Sequence, residues 1–400
     1  MEKKYPLLFS NPQECFGCSA CASICPRSAI KMERDNEGFL YPVVQENLCV
    51  SCKMCLQVCP KRNGSPTGTP LRILGAKAKE LPLRMRSSSG GAFSWLARWT
   101  QMRGGVICGV AFDEDFLAVH RCAEEEKDWS VFCTSKYMQS TLGNSFRQIR
   151  RYLDDGRAVL FTGTPCQVAG LQRYLANCGT DAQRLVTCDI VCHGTPSPMV
   201  WRDYLDYLCK ITHHRIGSVN FRNKQNVGWH GSTLVIHDTD GNTLLEGNQG
   251  DNCYFQLFFR HLILRPSCHI CPYASLSRPG DVTIGDFWGV EKSFPEFDDD
   301  KGISLLFCNT EKGLDVWRQI SEHFDTLELS AEQCLQPNLH TPAQKPGWRQ
   351  GFWEGYRDVG FARMAKNMGL LPLTPWERLR KTIGSVRGKL SKMIKGMIEK

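Results

Sequence analysis

Two cysteine runs near the start of the chain share one spacing: Cys15-x2-Cys18-x2-Cys21-x3-Cys25-Pro26 and Cys49-x2-Cys52-x2-Cys55-x3-Cys59-Pro60. A loop of this pitch wraps three thiolates around an iron-sulfur cube, and the fourth thiolate must come from another segment to close the shell. The spacing therefore predicts two 4Fe-4S clusters with crossed ligation. Cys15, Cys18, Cys21 and Cys59 hold the first, and Cys25, Cys49, Cys52 and Cys55 hold the second. Pro26 and Pro60 end each loop and turn the chain away. A zinc ribbon made of two CxxC pairs or a disulfide framework leaves two identical proline-closed runs unexplained. The chemistry is electron transfer.

This is the signature of a bacterial two-cluster ferredoxin, and residues 29–32 and 38–42 read as the short strands between its half-sites. Such a module takes residues 1–65, and the 400-residue chain leaves ample length beyond it for a large core. The 21 cysteines do not point to secretion, since no apolar signal core follows Met1. No apolar run is long enough to span a bilayer. Cluster ligation and free thiols point to a reducing cytosol, so a cytoplasmic location is expected. The net charge of +8 is uneven. Residues 376–400 carry eight Lys and Arg against Glu377 and Glu399, the body is near neutral, and a nucleic-acid partner is not expected.

Residues 61–70 have linker composition, and a strand follows at 72–78. Ser87, Ser88, Ser89, Gly90 and Gly91 then lead into a segment with helical apolar spacing at 92–99. Backbone N–H groups at such a turn can cradle an anion; the turn can equally be a flexible helix cap. A buried-strand pattern occupies 104–113, and a helix around Phe146, Ile149 and Leu153 ends at Asp154-Asp155-Gly156. Twice an apolar strand runs into a reactive loop and a helix, at 158–171 through Thr164-Pro165-Cys166 and at 185–208 through Cys192-His193-Gly194. That recurrence predicts an α/β core with a ligand at the strand ends. Strands follow near 219–222, 234–237 and 243–246, then an apolar helix at 255–264, then strands at 280–286 and 303–309.

Taken as an ordered set, these loops resemble the beta subunit of coenzyme F-420 hydrogenase/dehydrogenase, in the form with an N-terminal ferredoxin module. The matching blocks begin with Ser87–Phe93 written SSSGGAF, Ser135-Lys136-Tyr137-Met138-Gln139-Ser140 and Phe161-Thr162-Gly163-Thr164-Pro165-Cys166-Gln167. They continue with Cys192-His193-Gly194, Phe221-Arg222-Asn223-Lys224, Cys268-x2-Cys271-Pro272-Tyr273 and the run from Asp281 to Gly289. Behind the ferredoxin-like module (1–65) the resemblance implies a larger mixed α/β flavin-binding domain (66–340), and the aromatic and basic apolar spacing beyond it predicts a helical tail (341–400). It implies a flavin, FAD or FMN, contacted by Ser87, Ser88, Ser89, Gly90, Gly91, Lys136, Tyr137, Gln139 and Thr164, with His193 and Lys224 as catalytic candidates. Tyr137 reads equally as a packed aromatic, Lys224 as a solvated loop lysine and His193 as a turn cap.

Electrons would pass between a ferredoxin-type carrier or partner redox subunit, the clusters, the flavin, and a small organic substrate or deazaflavin. The alternatives are a non-catalytic electron-relay subunit and an accessory protein of envelope polysaccharide biosynthesis. Two isolated loop cysteines plus a CxxC-Pro suggest that Cys166, Cys192, Cys268 and Cys271 hold a third 4Fe-4S cluster; the CxxC also reads as a zinc half-site or redox pair. Cys108, Cys133, Cys178, Cys209, Cys253, Cys308 and Cys334 read as small core hydrophobes. Trp348, Phe352, Trp353, Tyr356 and Phe361 predict a helix. Beyond Pro375 a single apolar stripe among lysines and arginines suits a membrane surface or a partner.

Overall fold

The apolar runs at 106–112, 159–163 and 185–190 form adjacent parallel strands, because strands covered on both faces by helices need no polar side. The structure is a computed structural model that describes residues 5–64 and 67–372. Backbone packing divides the chain into two units, Met1–Pro346 and Gly347–Lys400.

In the first unit, the cysteine-rich segment carries a hairpin of β1 (Ile30–Arg34) and β2 (Leu40–Val44). The body holds an eight-stranded mixed sheet. Its strands are β3 (Arg72–Ala78), β4 (Val106–Phe112), β5 (Ala118–Ala123), β6 (Val159–Gly163), β7 (Leu185–Ile190), β11 (Val282–Asp286), β12 (Ser304–Cys308) and β13 (Phe324–Glu328). A separate antiparallel sheet joins β8 (Ile216–Asn223), β9 (Thr233–Asp238) and β10 (Thr243–Asn248). In the large sheet the order is β13-β3-β12-β11-β7-β6-β4-β5, with β4, β6, β7 and β11 parallel and the outer pairs antiparallel. The chain is thus a ferredoxin-like segment on a mixed α/β body, the class expected.

Buried polar groups pin the centre of the sheet. The Arg278 guanidinium donates to Asp189 Oδ1 through Nε (3.0 Å) and Nη2 (2.7 Å), and both side chains are almost fully buried. Thr283 Oγ1 and the Gly280 N–H also donate to Asp189, while Thr187 donates to Asp281 from both its N–H and its hydroxyl. Such a network is tolerated only because nearly every acceptor is filled.

The cysteine-rich segment shares the body's core. Phe16, Cys18, Ala20, Ile24 and Val58 pack with Val168, Ala169 and Leu171 of the helix Pro165–Cys178. Arg147 caps the carbonyls of Ala22 and Ser23 at 3.0 Å, and Arg173 donates to the Gln57 carbonyl.

The structure corrects two expectations. The apolar stretch at 255–264 is helical only over Cys253–Phe259; His261 takes φ +59° and the chain turns. Leu262, Ile263 and Leu264 stay fully buried in that turn, so their apolarity imitates a continuing helix. Cys108 is buried but is not a free thiol: it faces Cys122 across β4 and β5 in a disulfide. The edge strands β5 and β13 and the helix Glu311–Ile320 were not anticipated. In the second unit a helix spans Arg349–Asn367, broken at Gly360 (φ +73°), with Phe352, Trp353 and Tyr356 ring to ring. Residues 376–400 lie outside the described residues. Among the described residues no helix is long and apolar enough to cross a membrane.

Candidate redox site

The two ferredoxin-type loops repeat each other in backbone conformation. Gly17 and Ser19 in the first loop, and Ser51 and Lys53 at the equivalent places in the second, all have φ between +55° and +69°. Left-handed residues at these steps curl the loop so that its thiols face one centre. Cys25, Cys49, Cys52 and Cys55 line one small hollow. Cys15, Cys18 and Cys59 interact with one another and with Cys21. The crossed grouping expected from the spacing is thus the spatial grouping. Backbone N–H groups reach the sulfurs of Cys15 (from Gly17, 3.4 Å) and Cys25 (from Ala29, 3.3 Å).

A third set assembles in the body. Cys166 sits in the first turn of the helix Pro165–Cys178, Cys192 follows β7, Cys268 lies within a short turn, Pro266–Ile270, and Cys271 directly follows it. All four line one hollow beside Phe16 of the first loop. Burial pushes Cys166 up to about 12, Cys268 to about 11, and Cys192 well above the usual thiol range. Four half-buried thiols in one hollow are a donor set that a bound cationic centre would ionise. Among the described residues no three His, Cys, Asp or Glu groups converge on a single-ion site; a 4Fe-4S cube gives each thiolate its own iron and asks for no such convergence.

Next to this hollow is a cavity of about 530 Å³ at the carboxyl ends of β4, β6, β7 and β11, the position where open α/β sheets take ligands. Thr164, Cys192, His193, Gly194, Thr195 and Asn338 line both spaces. Of the predicted contacts, Ser87, Ser88, Ser89, Gly91, Lys136, Tyr137, Thr164 and His193 lie on the cavity wall. The serine turn is held rigidly. Ser87 Oγ donates to the Leu83 carbonyl, Ser89 Oγ donates to the Ile303 carbonyl, and Ser88 Oγ accepts from Ser135 N–H (2.9 Å). Gly90 backs onto β3 and β12 so closely that a Cβ would lie 2.3 Å from the Ala76 carbonyl oxygen, and Gly91 has φ +89°.

Three predicted residues do not line the cavity. Gly90 lies behind the turn. Gln139 is buried and accepts from the Leu40 N–H at 2.9 Å, tying the cysteine-rich segment to the body. Lys224 is buried behind the serine turn, and its ammonium donates to the carbonyls of Ser89 (2.8 Å) and Lys301 (2.6 Å). The Lys136 ammonium donates to the carbonyl of Thr134 at 2.8 Å. His193 Nδ1 meets Asn338 Oδ1 at 2.8 Å, while its Nε2 is buried without a partner, and burial lowers its pKa.

The cavity also presents a group that the sequence did not single out. Arg222 Nη1 pairs with Asp286 Oδ2 at 3.3 Å and its guanidinium lies 4.8 Å from the centre of the Trp288 ring. Its Nε and Nη2 are buried without a hydrogen-bond partner of ordinary geometry, and the guanidinium lies against the Tyr137 hydroxyl. Trp288 stacks on Trp229 at 4.9 Å, nearly parallel. The signal lay in the Phe221–Lys224 block, where Lys224 was the more obvious cation.

No curated protein matches this chain. A chain of the F420-reducing NiFe hydrogenase complex from Methanosarcina barkeri, in a xenon-derivatised structure, aligns over 75% of this chain and 91% of that chain at 14% identity, with a TM-score of 0.47. Residues 14–63 match the 4Fe-4S dicluster domain. Residues 156–332 match the C-terminal domain of the coenzyme F420 hydrogenase/dehydrogenase beta subunit. The chain is thus similar, in that order along its length, to an iron-sulfur module and to the C-terminal domain of the coenzyme F420 hydrogenase/dehydrogenase beta subunit.

Proposed function

We propose that this chain is an iron-sulfur flavoprotein oxidoreductase, with residues 1–65 as its electron-entry module and residues 66–340 as its flavin domain. The observation that carries the reading is the file of cysteine sets leading to the cavity. The hollow at Cys25 to Cys55 neighbours the Cys15 set through Cys21 and Cys55. Cys18 interacts with Cys166, and Cys192 lines both the third hollow and the cavity.

In this reading the three cysteine sets hold three 4Fe-4S clusters, and the cavity holds FAD or FMN. Bound there, the clusters would carry single electrons and the flavin would combine them into pairs for an organic substrate or deazaflavin. The fit rests on the thiol donor sets, on the serine turn before the helix Ala92–Gln101, and on the orphaned Arg222 nitrogens, which suit an anionic group. Lys224 acts by fixing the Ser89 carbonyl. His193, with Nδ1 turned to Asn338, keeps Nε2 available to hold a proton. The electron source is a ferredoxin-type carrier or a partner redox subunit.

Anaerobic purification with iron, sulfide and flavin analysis tests this. The expected result is about twelve irons per chain, four for each of three cubes, with one releasable flavin. Cys192→Ser should lower the iron to about eight and leave the module's clusters in place. Wild-type protein with about eight irons removes the third cluster, and a preparation with no isoalloxazine removes the flavin.

A further inference from the structure

Arg265 stands in an unusual place for a guanidinium. It is 1% exposed. Its backbone N–H donates to the Thr195 carbonyl at 2.9 Å, and its Nε donates to the Cys15 carbonyl at 3.0 Å. The group lies 4.0 Å from the centre of the Tyr41 ring. The loop of the first cysteine run wraps it so tightly that a Cβ on Gly17 would come within 2.8 Å of Nη1. Nη1 and Nη2 are buried with no oxygen or nitrogen partner, and the guanidinium reaches the Cys15 thiol instead. Among the described residues, no carboxylate forms an ion pair with it.

A buried cation with no counter-ion is costly enough that proteins avoid it. The groups that do surround Arg265 are thiols from two different sets: it interacts with Cys15 on one side and with Cys166 and Cys268 on the other. Thiolate-ligated clusters are anions, and each gains a further negative charge on accepting an electron. Between two such anions the guanidinium ceases to be an anomaly. Cluster potentials follow local charge and hydrogen bonding to sulfur, so a fixed cation favours the reduced form of both neighbours. The Cys25, Cys49, Cys52 and Cys55 hollow is not lined by Arg265.

We propose that Arg265 is a positioning residue for electron flow: it raises the reduction potentials of the two inner clusters above that of the outer one, making transfer inward downhill. Each step moves one electron from a reduced to an oxidised cube, with no bond made or broken. For the Cys166 set this rests on the third cluster argued above; for the Cys15 set it does not.

The test is a potentiometric titration of the full chain, purified anaerobically, with each cluster followed by electron paramagnetic resonance. Arg265→Met should shift the reduction equilibrium of both inner clusters at least tenfold towards the oxidised form, about 59 mV for one electron, and leave the outer cluster unmoved. Arg265→Lys, which keeps the charge, should restore most of the shift. Unchanged inner potentials at full iron content, or an equal shift in all clusters, overturn the proposal. Should Arg265→Met lose iron, retention by Arg265→Lys supports charge compensation, whereas equal loss in both means a purely steric role. A wild-type iron content of about eight removes the third cluster independently, and the Cys15 cluster then carries the test alone.

Discussion

Lys224 and Lys136 are amines taken out of water beside the cavity. Burial lowers each to about 7, with Arg84 adding a second push on Lys224. Both folded-state values lie below the unfolded value of 10.5. Between about pH 7 and 10.5 the unfolded chain therefore binds more protons, and stability rises with pH across that window. Below pH 7 both states are protonated and this contribution is flat. Chemical denaturation at pH 7 and pH 9 should show the rise, and Lys224→Met should reduce its slope; an unaltered slope means that Lys224 keeps its proton. The module's thiol ligands were legible residue by residue because their spacing is local. The role of Lys224 was not, because its acceptors, Ser89 and Lys301, lie 135 and 77 residues away. Arg222 was hidden for the same reason: its carboxylate partner is on another strand.

At the level of elements, the central parallel strands could be read from the sequence because they are uninterrupted apolar runs with glycine or proline at their ends. The edge strands could not. β5 carries Arg121 and β13 carries Asp325; β13 pairs on one side only, and beyond β4 strand β5 meets just a single bridge from Val119 to Thr141, so their sequences look like loop. What joins β7 to β11 is also invisible in an apolar pattern. Asp189 and Arg278 meet across the sheet with no sequence proximity to announce them. Because removing one partner leaves the other charge buried, Asp189→Ala should cost about 3–5 kcal/mol, measured as a lower denaturation midpoint. A loss below about 1 kcal/mol would mean that the pair behaves like a surface one.

Across the first unit, the cysteine sets run from a wet rim to a dry interior. Cys52 is exposed, and Val50, at 59% exposure and lining the same hollow, gives that rim an apolar surface. A protein electron donor would have to meet this surface. Val50→Asp should slow reduction by a ferredoxin-type protein severalfold in stopped-flow measurements. Reduction by a small chemical reductant should be unaffected. An equal effect on both would place electron entry elsewhere.

Gly170 faces the first cysteine loop so closely that a Cβ there would press within 3.0 Å of the Cys18 sulfur. Tunnelling weakens exponentially with separation, so on the proposed reading a lone hydrogen at this helix position would let the first loop and the helix that carries Cys166 come close. The helix Pro165–Cys178 is then more than a scaffold. If the three cysteine sets hold clusters as proposed, it would be the spacer between two of them.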